Sequence, residues 1–71
     1  MEQEQIKRED ATTLLKEGKA ELIYNVASEQ FSIRMKDALP LALADGLELL
    51  KLCKKTGKVG QENHYEMENK A

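Results

Sequence analysis

Between residues 20 and 36 apolar and polar side chains alternate, and this is the strongest signal in the chain. Leu22-Ile23-Tyr24-Asn25-Val26 concentrates β-branched and aromatic residues, and Phe31-Ser32-Ile33-Arg34-Met35 alternates strictly. Both features suit a half-buried strand. Folding one onto the other with the turn at Ser28-Glu29 pairs Val26 with Phe31, Tyr24 with Ile33 and Leu22 with Met35. All six then share one apolar face. The opposite face pairs Glu21 with Lys36, Ile23 with Arg34 and Asn25 with Ser32. A slip by one residue would scatter the apolar set, so the register is well specified. No Asn-Gly or Asp-Gly lies between the strands, which favours a four-residue loop over a primed two-residue turn.

After Met35 the pattern changes period. Leu39, Leu43, Leu47 and Leu50 recur at helical spacing, and Leu49 and Cys53 widen the stripe. Asp37 suits a cap and Pro40 a first turn. Lys51, Lys54 and Lys55 complement the negative end of a helix dipole, and Gly57 follows as a stop. The pattern predicts one helix over 38–56. A rival turn at Asp45-Gly46 is disfavoured by the Leu/Ala richness around it.

Upstream, residues 11–18 read two ways. Gly18 suits the residue after a helix running from about Glu4 to Glu17. Alternatively Ala11, Thr13 and Leu15 alternate as a third strand, with Gly18 in the turn. The paired threonines tilt the reading to a helix over 3–10 and a strand over 12–16. Residues 58–71 hold one Val, one Tyr and one Met among polar residues, and read as a disordered tail.

The expectation is an α+β fold: a small antiparallel β-hairpin or three-stranded meander packed on one C-terminal helix, with a polar N-terminal segment over 1–10 that is helical or frayed. The single domain spans 11–57 and the tail 58–71. The expected core is Leu22, Tyr24, Val26, Phe31, Ile33, Met35, Leu39, Leu43, Leu47 and Leu50.

Composition adds constraints. The 71 residues carry a net charge of −2, with 34% charged side chains. A domain this small is marginal unless a disulfide, metal or second subunit supports it. A single cysteine, Cys53, excludes an intrachain disulfide, and a single histidine, His64, offers no zinc set. No apolar run approaches the roughly 20 residues that span a bilayer. The acidic start and lone thiol suit a cytoplasmic protein. No cofactor, metal site or small-molecule substrate is evident.

Two candidate surfaces follow. A single sheet face cannot cover every leucine of the predicted helix. Leu41, Gly46, Leu49 and Leu52 are therefore the expected interface of a homodimer or of a larger protein partner. Gly46 in mid-helix costs roughly 1 kcal/mol against alanine and suits close backbone approach. The second candidate is the cluster Lys51, Lys54, Lys55 and Lys58, which could contact nucleic-acid phosphates. A solvated helix end explains those lysines more simply, since the chain is net acidic and lacks spare aromatic residues for stacking. Cys53 reads as a structural thiol and His64 as a solvated tail residue. The reading is thus a small, non-enzymatic interaction or regulatory module, with a nucleic-acid-binding regulator as the alternative.

Overall fold

A computed structural model describes residues 5–68. Its elements run α1 (Arg8–Lys16), β1 (Glu21–Asn25), β2 (Gln30–Arg34), β3 (Ala38–Leu41), α2 (Leu43–Leu50), β4 (Cys53–Val59) and β5 (Glu62–Met67). The five strands form one antiparallel sheet in the order β3-β2-β1-β5-β4. The α+β class expected from the sequence holds. The layout is richer than a meander on a C-terminal helix.

The β1–β2 hairpin keeps its predicted faces but shifts its register by two residues. Tyr24 opposes Phe31 and Leu22 opposes Ile33. The Asn25 side chain decides this. Its Oδ1 accepts hydrogen bonds from the amides of Ala27 and Ser28 at 2.9 and 3.0 Å, which starts the turn one residue earlier. The loop still has four residues, 26–29. Glu29 closes it at φ 57°, in the left-handed region, and its amide donates to the Asn25 carbonyl at 2.7 Å. A two-residue shift preserves the side-chain period, so Leu22, Tyr24, Phe31 and Ile33 still face inward. Val26 and Met35 fall outside the ladder and are exposed rather than core.

Residues 12–16 are helical, not a strand. Thr12 Oγ1 donates to the Arg8 carbonyl at 2.7 Å and Thr13 Oγ1 to the Glu9 carbonyl at 3.0 Å. These bonds satisfy both hydroxyls on the helix itself. Gly18, at φ 72°, ends α1 in a Schellman motif: its amide reaches the Leu15 carbonyl and the Lys19 amide reaches that of Leu14. The helical reading of Gly18 was the correct one. Residues 1–4 lie outside the described residues.

The single helix predicted over 38–56 is three elements. Ala38–Leu41 is an edge strand on β2, pairing Leu41 with Phe31 and Leu39 with Ile33. Pro40 is tolerated there because an edge strand leaves alternate amides unpaired. Only Leu43–Leu50 is helical. Beyond Leu52 the chain returns as β4. Gly57 ends no helix but lies at a β-bulge, where the register shifts between Lys55 and Gly57.

Residues 58–68 are not a tail. β4 and β5 form a hairpin joined by Gly60-Gln61, with Gly60 at φ 59° in the first loop position, where a II′ turn takes glycine. β5 then pairs with β1, setting Leu22 beside Tyr65 and Tyr24 beside Asn63. Residues 69–71 lie outside the described residues.

Both helices lie on one sheet face. α2 crosses β1, β2 and β4, and α1 packs against α2 and β5. The core between them holds Ala11, Leu15, Ala20, Leu22, Phe31, Ile33, Leu41, Leu49 and Met67. Leu15, Leu22, Ile33 and Leu49 are each at most 2% exposed, and each contributes about 1.5–3 kcal/mol by burial. Among the described residues no helix is long and apolar enough to cross a membrane.

Candidate functional site

α2 carries two apolar stripes, and the fold decides which turns inward. Gly46 and Leu49 face the sheet. Gly46 lies so close to Phe31 that a Cβ there would stand 2.3 Å from the ring Cγ. With Gly46 seated on Phe31, the helix has one available roll. Leu43 and Leu47, expected in the core, project outward at 55% and 48% exposure. Leu41, Gly46 and Leu49, expected at an interface, are instead inside this fold. The close approach inferred at Gly46 is present, but within the chain. Of the four, Leu52 alone is exposed, in a hollow shared with Arg8 and Thr12 of α1.

The outer face of α2 is a compact apolar surface. Leu43 and Leu47 are one helical turn apart. Ala44, Leu47 and Leu50 line a shallow hollow rimmed by Glu48 and Lys51. Lys51 Nζ lies 3.4 Å from Glu48 Oε1. Leu50 also touches the core, while Leu43 and Leu47 project beyond it.

The lysine cluster divides. Lys51 follows α2 beside Glu48. Lys54, Lys55 and Lys58 lie on β4, one of the two edge strands, all exposed. Lys54 opposes Glu66, Lys55 opposes Tyr65 and Lys58 opposes Asn63. Lys55 and Lys58 therefore share the helix side of the sheet, because the bulge between them resets the alternation. Lys54 faces the other way. The four do not form one basic face.

The open sheet face holds a polar network that sequence reasoning missed. His64 is no tail residue: it sits in β5 with its side chain only 13% exposed, and its Nδ1 lies 2.9 Å from Glu21 Oε2. Its Nε2 is 3.8 Å from Glu62 Oε1, beyond hydrogen-bond reach, and has no hydrogen-bond partner among the described residues. Arg34 reaches Glu62 at 3.8 Å. Between His64 and Ser32 sits Ile23, 2% exposed, buried on the face away from the helices. The signal for this network was the alternation of Asn63, Tyr65 and Met67, with Glu62, His64 and Glu66 between them.

A carboxylate orienting a histidine supplies two members of a hydrolytic triad and lacks the nucleophile. The hydroxyl of Ser32 lies two strands away, roughly 10 Å by strand spacing. Among the described residues no group of His, Cys, Asp and Glu could hold a metal ion. Cys53 opens β4, half-buried against the core. Burial, and then the nearby Glu68 carboxylate, push its thiol pKa up, the opposite of an activated nucleophile. Comparison with known proteins gives no match: no family model, no curated protein and no solved structure resembles this chain closely enough to place it.

Proposed function

We propose that this chain is a non-enzymatic protein-interaction module that self-associates through the outer face of α2. The observation that carries the reading is the exposed pair Leu43 and Leu47 beside the hollow of Ala44 and Leu50. An isolated domain has no structural use for a second apolar stripe on a helix whose first stripe already fills the core.

The pattern suits a second copy. Two α2 helices running antiparallel about a two-fold axis at Leu47 place Leu47 against its symmetry mate. Ala44 then faces Leu50, and Leu43 faces the aliphatic stem of Lys51. Ala44 leaves room for the partner copy's Leu50, and each contact recurs across the axis, as a self-complementary two-fold interface requires. Glu48 and Lys51 stay at the rim in solvent. The size of the chain supports the same reading, since a second subunit is the remaining staple for a small core without disulfide or metal. Because α2 has only 8 residues, the association is weak and concentration-dependent.

Sedimentation equilibrium over a wide concentration range tests this. The wild-type chain should pass from monomer to dimer. Leu47→Glu should remain monomeric with an unchanged circular dichroism spectrum, while Leu52→Glu should still dimerise. A wild-type monomer at every concentration, or a dimer that survives Leu47→Glu, overturns the proposal.

A further inference from the structure

The two edges of the sheet are unlike. The β3 edge is short, contains Pro40, and receives the Ile6 amide on the Pro40 carbonyl at 2.9 Å. It is blunted in the usual ways. The β4 edge is long, Cys53–Val59, and every residue from Lys54 to Val59 is exposed. No described element pairs with its outer side. An edge strand of this length presents a row of unpaired amides and carbonyls.

We infer that the β4 edge docks an acidic, extended peptide segment as a further strand of the sheet. Main-chain hydrogen bonds would provide the pairing and the lysines the selection. Lys54 on one face, with Lys55 and Lys58 on the other, meets acidic side chains on both faces of an added strand. Cross-strand neighbours sit about 4.5–5.5 Å apart, within reach of such pairs. The bulge matters here, because it places Lys55 and Lys58 on the same side although they are three residues apart.

The charges also disfavour a second copy as occupant. Antiparallel pairing of two β4 edges brings two lysine-bearing strands together and sets lysine opposite lysine in the registers centred on Lys54, Lys55, Thr56 or Lys58, which is destabilising. This surface is separate from the outer face of α2, so the inference stands or falls independently of self-association. A nucleic acid would satisfy the charges but not the backbone groups.

The test uses the full chain and a short fluorescein-labelled peptide of repeating Glu-Glu-Val, which sets glutamates on both faces of a strand. A control of equal charge carries proline in place of valine, so that it cannot donate to a ladder. Fluorescence anisotropy should detect the first peptide, with the control weaker by about tenfold or more. The double variant Lys55→Glu, Lys58→Glu, whose cross-strand partners Tyr65 and Asn63 are neutral, should weaken binding by a similar factor while keeping its circular dichroism. Bound peptide should slow amide exchange along residues 53–59. No binding, equal binding of the proline control, or protection confined to another region overturns the inference. So does binding of a single-stranded oligonucleotide in place of the peptide.

Discussion

Replacing Gly46 by alanine sets two effects against each other. Alanine favours the helix by about 1 kcal/mol. Against that, the new Cβ would stand 2.3, 2.4 and 2.7 Å from Cγ, Cδ2 and Cβ of Phe31, where carbon atoms prefer about 3.5–4.0 Å. Turning the ring cannot relieve all three contacts, because the Phe31 Cβ is fixed to a strand between β1 and β3. The helix must lift by about 1 Å, and a gap of that size forfeits a quarter to a half of the dispersion energy around its neighbours. Leu49, 2% exposed on the same face, loses the most. Overpacking of this kind costs about 1–3 kcal/mol. With the loosened seat of Leu49 added, it outweighs the propensity gain. Gly46→Ala should therefore lower stability by about 1–3 kcal/mol. In a domain of this size each kcal/mol moves Tm by about 4–8 °C. Urea and thermal unfolding followed by circular dichroism, at one fixed protein concentration, measure this. A second arm repeats the change in a Phe31→Leu background, where the penalty should shrink by at least about 0.5 kcal/mol, as coupled neighbours require. A Gly46→Ala chain as stable as wild type would refute the claim that Phe31 sets the seat and roll of α2.

Two further predictions rest on single residues. Glu29 holds φ 57°, a conformation that costs a non-glycine residue about 1–2 kcal/mol; Glu29→Gly returns part of this to unfolded-chain entropy and should stabilise the chain by about 0.5–1 kcal/mol in urea unfolding, a loss of stability counting against the assigned loop. Cys53 has its thiol pKa raised by burial and by Glu68, so at a given pH it holds less thiolate than an ordinary cysteine. Iodoacetamide should then label the folded chain more slowly than the urea-unfolded chain, with the rate rising only at higher pH, and equal rates in the two states would contradict that environment.

The parts of the fold visible in the sequence are those whose signal is local. Alternation through Leu22–Tyr24 and Phe31–Ile33 identified the hairpin and its inner face. Its register shifted because one side chain, Asn25, claims the turn amides, an effect the apolar pattern does not register. Thr12 and Thr13 suggested a strand by propensity, yet their hydroxyls bond back to Arg8 and Glu9 within a helix. The merged helix over 38–56 arose because Leu39 and Leu41 fit helical spacing as well as strand alternation. Their strand exists because β2 offers them an edge. β5 was missed because its polar face is covered laterally by neighbouring strands, so Glu62, His64 and Glu66 resemble a tail until β1 lies beside them.

The candidate site was legible in kind and inverted in detail. The sequence alone determined that α2 bears more apolar surface than one sheet face can bury, that one glycine in it needs explaining, and that the lysines cluster near its end. It also determined the α+β class, since two periods of alternation coexist in one short chain. Only the tertiary structure decided which leucine stripe turns inward. The stripe of Leu43 and Leu47 is more apolar than that of Gly46 and Leu49, so burial energy alone does not select the observed roll. The selection comes from contact distance. Gly46 is the single position where α2 can approach Phe31, and that approach carries Leu49 inward and leaves Leu43 and Leu47 facing solvent.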